Sequence, residues 1–262
     1  MESIKFDENY ILKEFDKIGL KAAATLTIYL IGGAAMIKYG LKAVTKDIDV
    51  VLKTEKELET LIQSLESIGY KTILDLIQDT QNRFTTKIME NKDGFRWDVF
   101  YEYVCKKLKL TESIISRSKT LMQTGNLTVQ LVSKEDIFLL KTLTEREEDE
   151  EDLLILARST LNWKTILQEC IKQSRTDLKC EIDLYDILEK LKNVYGLESP
   201  ILNEISVIAE KSMDDWFEEQ ILKQISKKPL TLQELQSYFK CEKELLLPSI
   251  NKFKDYLRCY PK

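Results

Sequence analysis

Hydrophobic positions over the first 160 residues switch between a period near 3.6 and a period near 2, which predicts a mixed fold of helices and strands. Residues 8–24 carry Ile11, Leu12, Phe15, Ile18 and Leu20 about every three to four positions, the stripe of a helix that packs on a sheet. Residues 26–31 (LTIYLI) are rich in β-branched and aromatic side chains and read as a strand. Gly32 and Gly33 follow, and a short helix is expected from Ala34. Without Cβ atoms the glycines let the chain turn sharply and approach a ligand, and the first N–H groups of the helix face whatever lies over the turn. Thirteen residues separate Gly33 from Asp47-Ile48-Asp49-Val50, which opens a second apolar run. On a strand Asp47 and Asp49 share one face while Ile48 and Val50 point to the other.

Thr54, with Glu57 three positions on, forms a capping box for a helix that reaches Ile68 and stops at Gly69. Residues 71–76 read as a short strand or loop. Strands are expected at 84–89 and 95–101, joined by a turn at Asn91-Lys92-Asp93-Gly94. A short helix at 109–119 precedes a hairpin, 121–124 and 127–132, about Gly125-Asn126. Ser133, with Asp136 three on, caps a helix at 134–143. An acidic stretch at 145–152 and a helix to Ser159 follow.

From Asn162 onward only helical periods remain. Helices are expected at 163–174, at 177–195 with a stop at Gly196, and from Pro200 to about 210. The last stretch has its own organisation: a helix at 218–226, a Thr231/Glu234 capping box opening 231–238, a turn through Cys241, and a helix at 242–257. Three short helices with a tight turn resemble a helix-turn-helix or winged-helix module, although Pro248 falls inside the third. Lys252, Lys254 and Arg258 can touch phosphates there; a packing or dimerisation role is the alternative. The expected division is residues 1–160, a helical region at 161–212 and the terminal module at 213–262.

Composition narrows the chemistry. The chain has 262 residues, few Gly and Pro, and a net charge of −5, so no global field draws in nucleic acid and any such site is local. It contains no histidine, which excludes Ser-His-Asp and Cys-His triads and ribonuclease chemistry built on an Arg and a His. Acid–base work falls to carboxylates, Lys or Tyr. The five cysteines, scattered and without Cys-x-x-Cys spacing, read as thiols of a reducing cytosol rather than a zinc site. The opening MESIKFDENY is charged and polar and does not read as a signal peptide. The most apolar run, 22–37, is shorter than the ~20 residues of a membrane span and is cut by the glycine pair. A cytoplasmic protein is the expectation.

The candidate site lies around the glycine pair. Two carboxylates ~7 Å apart along one strand face, Asp47 and Asp49, can hold a hard cation such as Mg²⁺. Asp98, in Phe-Arg-Trp-Asp-Val-Phe, offers a third carboxylate on another strand. In this order, Gly-Gly, spacer, Asp-x-Asp and a later strand Asp, the chain resembles the polymerase-β-like nucleotidyltransferase superfamily. The resemblance implies an α+β nucleotidyltransferase fold, a short mixed sheet flanked by helices, ahead of the all-α remainder. It implies that Gly32 and Gly33 hold the triphosphate of an NTP, with Thr45 and Lys46 as supporting residues, and that Asp47, Asp49 and Asp98 bind Mg²⁺ or Mn²⁺. The superfamily transfers nucleotides to RNA ends, to protein hydroxyls and to small molecules.

A second segment is similar to AbiEii-like nucleotidyltransferases, known as toxins of toxin–antitoxin and phage-defence systems. There Lys141, Arg146, Asp149 and Asp152 match a Lys-x4-Arg-x2-Asp-x2-Asp-Leu pattern, with Glu148 where a Lys commonly stands. That likeness implies that Lys141 meets nucleotide phosphates, that Arg146 supports the site, and that Asp149 and Asp152 orient it or assist acid–base steps. It also implies an antitoxin as partner, while the helix-turn-helix-like end of the chain tilts the expected acceptor toward RNA, tRNA above all, with protein as the other acceptor. A non-catalytic nucleotide- or nucleic-acid-binding regulator on the same scaffold is the alternative, and a plain interaction protein with a strand-edge Asp-x-Asp is a third.

Overall fold

The computed structural model describes residues 6–73, 87–105, 107–144, 147–174, 179–225, 227, 231–240 and 246. The chain divides into two compact units, Met1–Gln173 and Ser174–Lys262.

The first unit is built on one mixed sheet. Its principal strands are β1 (Leu26–Ile31), β2 (Asp47–Leu52), β3 (Lys71–Thr72), β4 (Lys87–Glu90) and β5 (Arg96–Tyr101), with the short β6 (Tyr103–Val104) and β7 (Leu108–Lys109), then β8 (Lys119–Thr124) and β9 (Leu127–Leu131). The order across the sheet is β3-β4-β5-β2-β1-β9-β8, with β6 pairing β5 and β7 beyond it. β2 runs antiparallel to β1 and parallel to β5, so these three largely apolar strands form the middle of the sheet. Antiparallel β1 and β2 are joined by helix α2 (Gly32–Lys38) and the connection 39–46. The helix begins at Gly32, two residues before the expected start.

Helix α1 (Glu8–Lys21) is capped by Asp7, whose carboxylate accepts the Tyr10 N–H at 2.9 Å, and buries Ile11, Phe15 and Ile18 completely. Phe15 meets the fully buried Trp97 of β5 edge to face at 5.9 Å. Because strand side chains alternate, Trp97 and its register partner Ile48 take the α1 side of the sheet, and Asp49 and Asp98 take the other. Helix α3 (Glu55–Ser67) carries the predicted Thr54/Glu57 capping box and packs against α1 and β1. The turn at 91–94 forms as expected, with the Gly94 N–H donated to the Asn91 carbonyl at 3.1 Å. Of the expected strand at 84–89, residues 84–86 lie outside the described residues, and β4 occupies 87–90.

The helix expected at 109–119 shortens to α4 (Glu112–Arg117), because Thr111 caps it and Lys109 and Lys119 are claimed by β7 and β8. Helix α5 (Lys134–Thr144) follows with its Ser133/Asp136 cap. The acidic stretch is itself the start of a helix, α6 (Glu147–Arg158), so its i, i+3 carboxylates share a face. Helix α7 (Trp163–Gln173) closes the unit. It stays with the sheet domain, beyond the boundary expected near 160, because the buried Glu169 accepts Thr111, Ser113 and Arg117 at 2.7 Å each, and Gln173 bonds both backbone groups of Lys109.

The second unit is helical. Helix α8 (Cys180–Tyr195) ends at Gly196 in the left-handed conformation and packs Leu184, Leu188 and Leu191 toward α9 (Leu202–Ile225). The two helices expected at 200–210 and 218–226 are one, because Lys211-Ser212-Met213-Asp214-Asp215-Trp216 contains neither Gly nor Pro to stop it. Helix α10 (Leu232–Phe239) has the predicted Thr231/Glu234 box and meets α9 through Trp216 and Phe239, 6.1 Å apart. The turn through Cys241 and the expected third helix lie outside the described residues save Leu246, as do Pro248, Lys252, Lys254 and Arg258. Among the described residues no helix is long and apolar enough to cross a membrane.

Candidate active site

Cross-strand register builds the site. Asp49 on β2 has Ile31 of β1 on one side and Asp98 of β5 on the other, and Asp47 has Arg96. The three predicted carboxylates therefore share the sheet face opposite α1, with Asp49 and Asp98 abreast and Asp47 one repeat along. The Arg96 guanidinium donates to Asp47 Oδ2 at 3.2 Å, and Thr45 Oγ1 donates to Asp47 Oδ1 at 3.4 Å. Asp98 is buried at 7% exposure.

The glycine pair is shaped around these side chains. Gly32 has φ +63°, and a Cβ there would stand 2.0 Å from Asp49 Oδ2. A Cβ on Gly33 would stand 2.6 Å from Thr45 Oγ1. The space that an ordinary side chain would fill is thus taken by Asp49 and Thr45, and the turn and the Asp-x-Asp strand require each other. Thr45 is held in turn by paired backbone bonds to Phe6, at 2.7 and 2.9 Å.

Helix α5 covers this face, where Ile137, Leu140 and Lys141 bound a small recess with Ile31, Asp49 and Phe100. Beside it opens a cavity of about 520 Å³ lined by Gly33, residues 42–47, Asp49, Lys141, Asp149, Glu151 and Asp152. Its ionic lining is three ammonium groups, Lys42, Lys46 and Lys141, against five carboxylates, Asp47, Asp49, Asp149, Glu151 and Asp152.

Lys141 sits between two of those carboxylates, 2.6 Å from Asp149 Oδ1 and 2.7 Å from Asp152 Oδ2. Burial presses its pKa down, but the charges of Asp149 and Asp152 and their hydrogen bonds outweigh burial and carry it above the usual lysine value. Burial likewise pushes the Asp152 carboxyl up, and Lys141 and Lys42 bring it below the ordinary range. Lys42 reaches Asp152 Oδ1 at 2.6 Å, and Thr144 Oγ1 donates to Asp149 Oδ2. A ladder of alternating charges, Lys42, Asp152, Lys141 and Asp149, thus runs along the cavity wall.

Lys46 lines the same cavity, as do Gly33 and Thr45. Arg146 lies outside the described residues. Arg96, Lys42 and Thr144 were not among the expected site residues. Alternation could have flagged Arg96, two positions before Asp98 on the same strand face, whereas nothing local marks Lys42.

Among the described residues no three His, Cys, Asp or Glu side chains converge on a point that could hold a metal ion. Asp47 instead faces Arg96. By donor chemistry and shared face, however, Asp47, Asp49 and Asp98 fit a hard, oxygen-seeking cation.

The sequence model of the family described as "Nucleotidyltransferase of unknown function (DUF6036)" matches residues 11–183. The chain belongs to this family of nucleotidyltransferases, and the matched region contains the central mixed sheet flanked by helices. A solved structure described as "putative nucleotidyltransferase from H. pylori" is similar at 15% identity, over 78% of this chain and 81% of that one, with a TM-score of 0.36, too slight a likeness to carry an argument. No curated protein matches the chain.

Proposed function

We propose that the chain is a metal-dependent nucleotidyltransferase that moves a nucleoside monophosphate from an NTP to an acceptor hydroxyl. One observation carries the reading: Asp49 and Asp98 stand abreast on paired strands, with Asp49 seated in the Cβ-free space of Gly32 beside a nucleotide-sized cavity. Asp47, Asp49 and Asp98 would hold Mg²⁺ or Mn²⁺, which when bound supplies positive charge to the phosphates and Lewis acidity at the reacting phosphorus. The lining supports that dependence, because five carboxylates against three ammoniums repel an unaccompanied triphosphate.

The chain's own residues do the rest. The Gly32-Gly33 turn borders the triphosphate. The Asp98 carboxylate takes the proton of the acceptor hydroxyl, whose oxygen bonds to the α-phosphorus as the bond to the bridging oxygen breaks and pyrophosphate leaves. Lys141 fixes Asp149 and Asp152 along the wall, and Thr45 holds Asp47 in its rotamer. The helix-turn-helix-like pattern at the end of the chain favours RNA, tRNA above all, with protein as the other acceptor, and the likeness of residues 141–152 to AbiEii-like enzymes favours a role as a toxin or defence component restrained by an antitoxin in the cytoplasm. The helical second unit would contact the nucleic acid.

A second reading, a nucleotide-binding regulator without catalysis, draws on the Arg96–Asp47 pair, which neutralises one of the would-be metal ligands. The test is pyrophosphate release from each of the four NTPs with Mg²⁺ or Mn²⁺, in the presence of total tRNA or of cellular protein. Release that needs both metal and acceptor is expected. NTP binding with no release under any combination would establish the regulator instead.

A further inference from the structure

We infer that Lys42, rather than Lys141, is the ammonium that meets the polyphosphate of the substrate; the inference rests on the nucleotidyltransferase reading above. Both line the cavity, and both reach Asp152. They differ in what their departure would leave behind. Lys141 is only 10% exposed and holds two buried carboxylates, so turning it toward a ligand would strip Asp149 and Asp152 of their shared counter-charge. Lys42 is 32% exposed and holds one oxygen of Asp152, whose other oxygen keeps Lys141 at 2.7 Å. Asp152 therefore stays paired when Lys42 swings away. Lys42 also sits on the connection between α2 and β2, which faces the cavity beside Gly33 and leads directly into Asp47.

A flexible, part-exposed ammonium with one shared partner on the wall of a net-negative cavity can change partners at little cost, and an entering phosphate supplies the new one. Lys141 is then a positioning residue: it keeps Asp152 in place as the resting partner to which Lys42 returns.

The experiment titrates the full-length chain with inorganic tripolyphosphate in saturating Mg²⁺ by calorimetry, comparing wild type with Lys42→Met and Lys42→Arg, and records the melting temperature of each. The expected result is that Lys42→Met weakens binding by about tenfold to hundredfold, the worth of one charge-assisted hydrogen bond. Lys42→Arg should bind nearly as well as wild type, and all three should melt alike because Asp152 retains Lys141. Equal binding by wild type and Lys42→Met would overturn the assignment and leave the transferase reading standing. Loss of binding in both variants together with a lowered melting temperature would make Lys42 a structural partner of Asp152 only, and would also overturn it. Wild-type protein that binds neither tripolyphosphate nor any NTP would remove the transferase reading itself.

Discussion

Replacing Gly32 with alanine separates the backbone role of the turn from its role in seating Asp49. At φ +63° an alanine sits in the left-handed region, which costs about 1–2 kcal/mol. In a chain of this size that lowers the melting temperature by about 2–8 °C. The new Cβ would also lie 2.0 Å from Asp49 Oδ2 and 2.7 Å from its Cγ, where ordinary contact begins at 3.4 Å. The carboxylate must therefore move by more than an ångström. Displacement of a reacting group on that scale lowers turnover by about a hundredfold. Gly40→Ala is the matched control, since Gly40 has φ +69° but a Cβ there would meet nothing within 4 Å. Both variants are followed by circular dichroism melts and by metal-dependent nucleotide transfer. Both should lose the same few degrees, and only Gly32→Ala should lose transfer. Equal transfer by the two variants would refute the claim that the glycine exists to seat Asp49.

Three further outcomes follow from the buried charges. Lys141→Met leaves Asp149 with Thr144 and Asp152 with Lys42 as their remaining partners, and should destabilise the first unit by about 3–5 kcal/mol in urea unfolding; an unchanged midpoint would contradict the ladder. Arg117→Met removes two bonds to Asp136, at 2.6 and 3.1 Å, and one to Glu169 at 2.7 Å, with both acids essentially buried, so a comparable loss of stability is expected by the same measurement. The same ladder sets limits at both ends of the pH scale. Asp152, whose carboxyl is lowered on folding, contributes stability above its unfolded value of about 3.9 that is lost as pH falls through the lower folded value. Lys141, raised on folding, contributes fully below about 10.4 and loses its contribution as pH rises through the folded value. Melting temperature measured against pH in wild type and Lys141→Met should differ most between those limits and converge outside them.

The parts of this fold legible in the sequence are those whose signal is local. The run 26–31, the glycine pair and the alternation at 47–50 each mark their element within a few residues, and β1 and β2 form at those positions. Both complete capping boxes, at Thr54 and Thr231, are also short-range patterns. Asp98 is legible because Phe-Arg-Trp-Asp-Val-Phe reads as a strand with one carboxylate. What escaped depends on pairing between distant segments. That Arg96 would face Asp47 follows from the register of β2 on β5, which no local pattern sets. That Lys42 would share Asp152 with Lys141 requires the α2–β2 connection and α6 to meet across the cavity. The polar middle of α9, Lys211 to Asp215, interrupts the apolar stripe without interrupting the backbone, so the pattern reads as two helices where one forms.

The central claim is tested most directly by transfer of α-³²P label from each NTP, with Mg²⁺ or Mn²⁺, to total cellular RNA and to protein, with wild type and Asp49→Asn run side by side. Asn keeps the shape of the side chain in the Gly32 space but removes the charge that would hold the metal. Label that appears on RNA or protein with wild type and is abolished in Asp49→Asn is the predicted result, and it names the acceptor class at the same time. Label transferred equally by a folded Asp49→Asn protein would contradict the account.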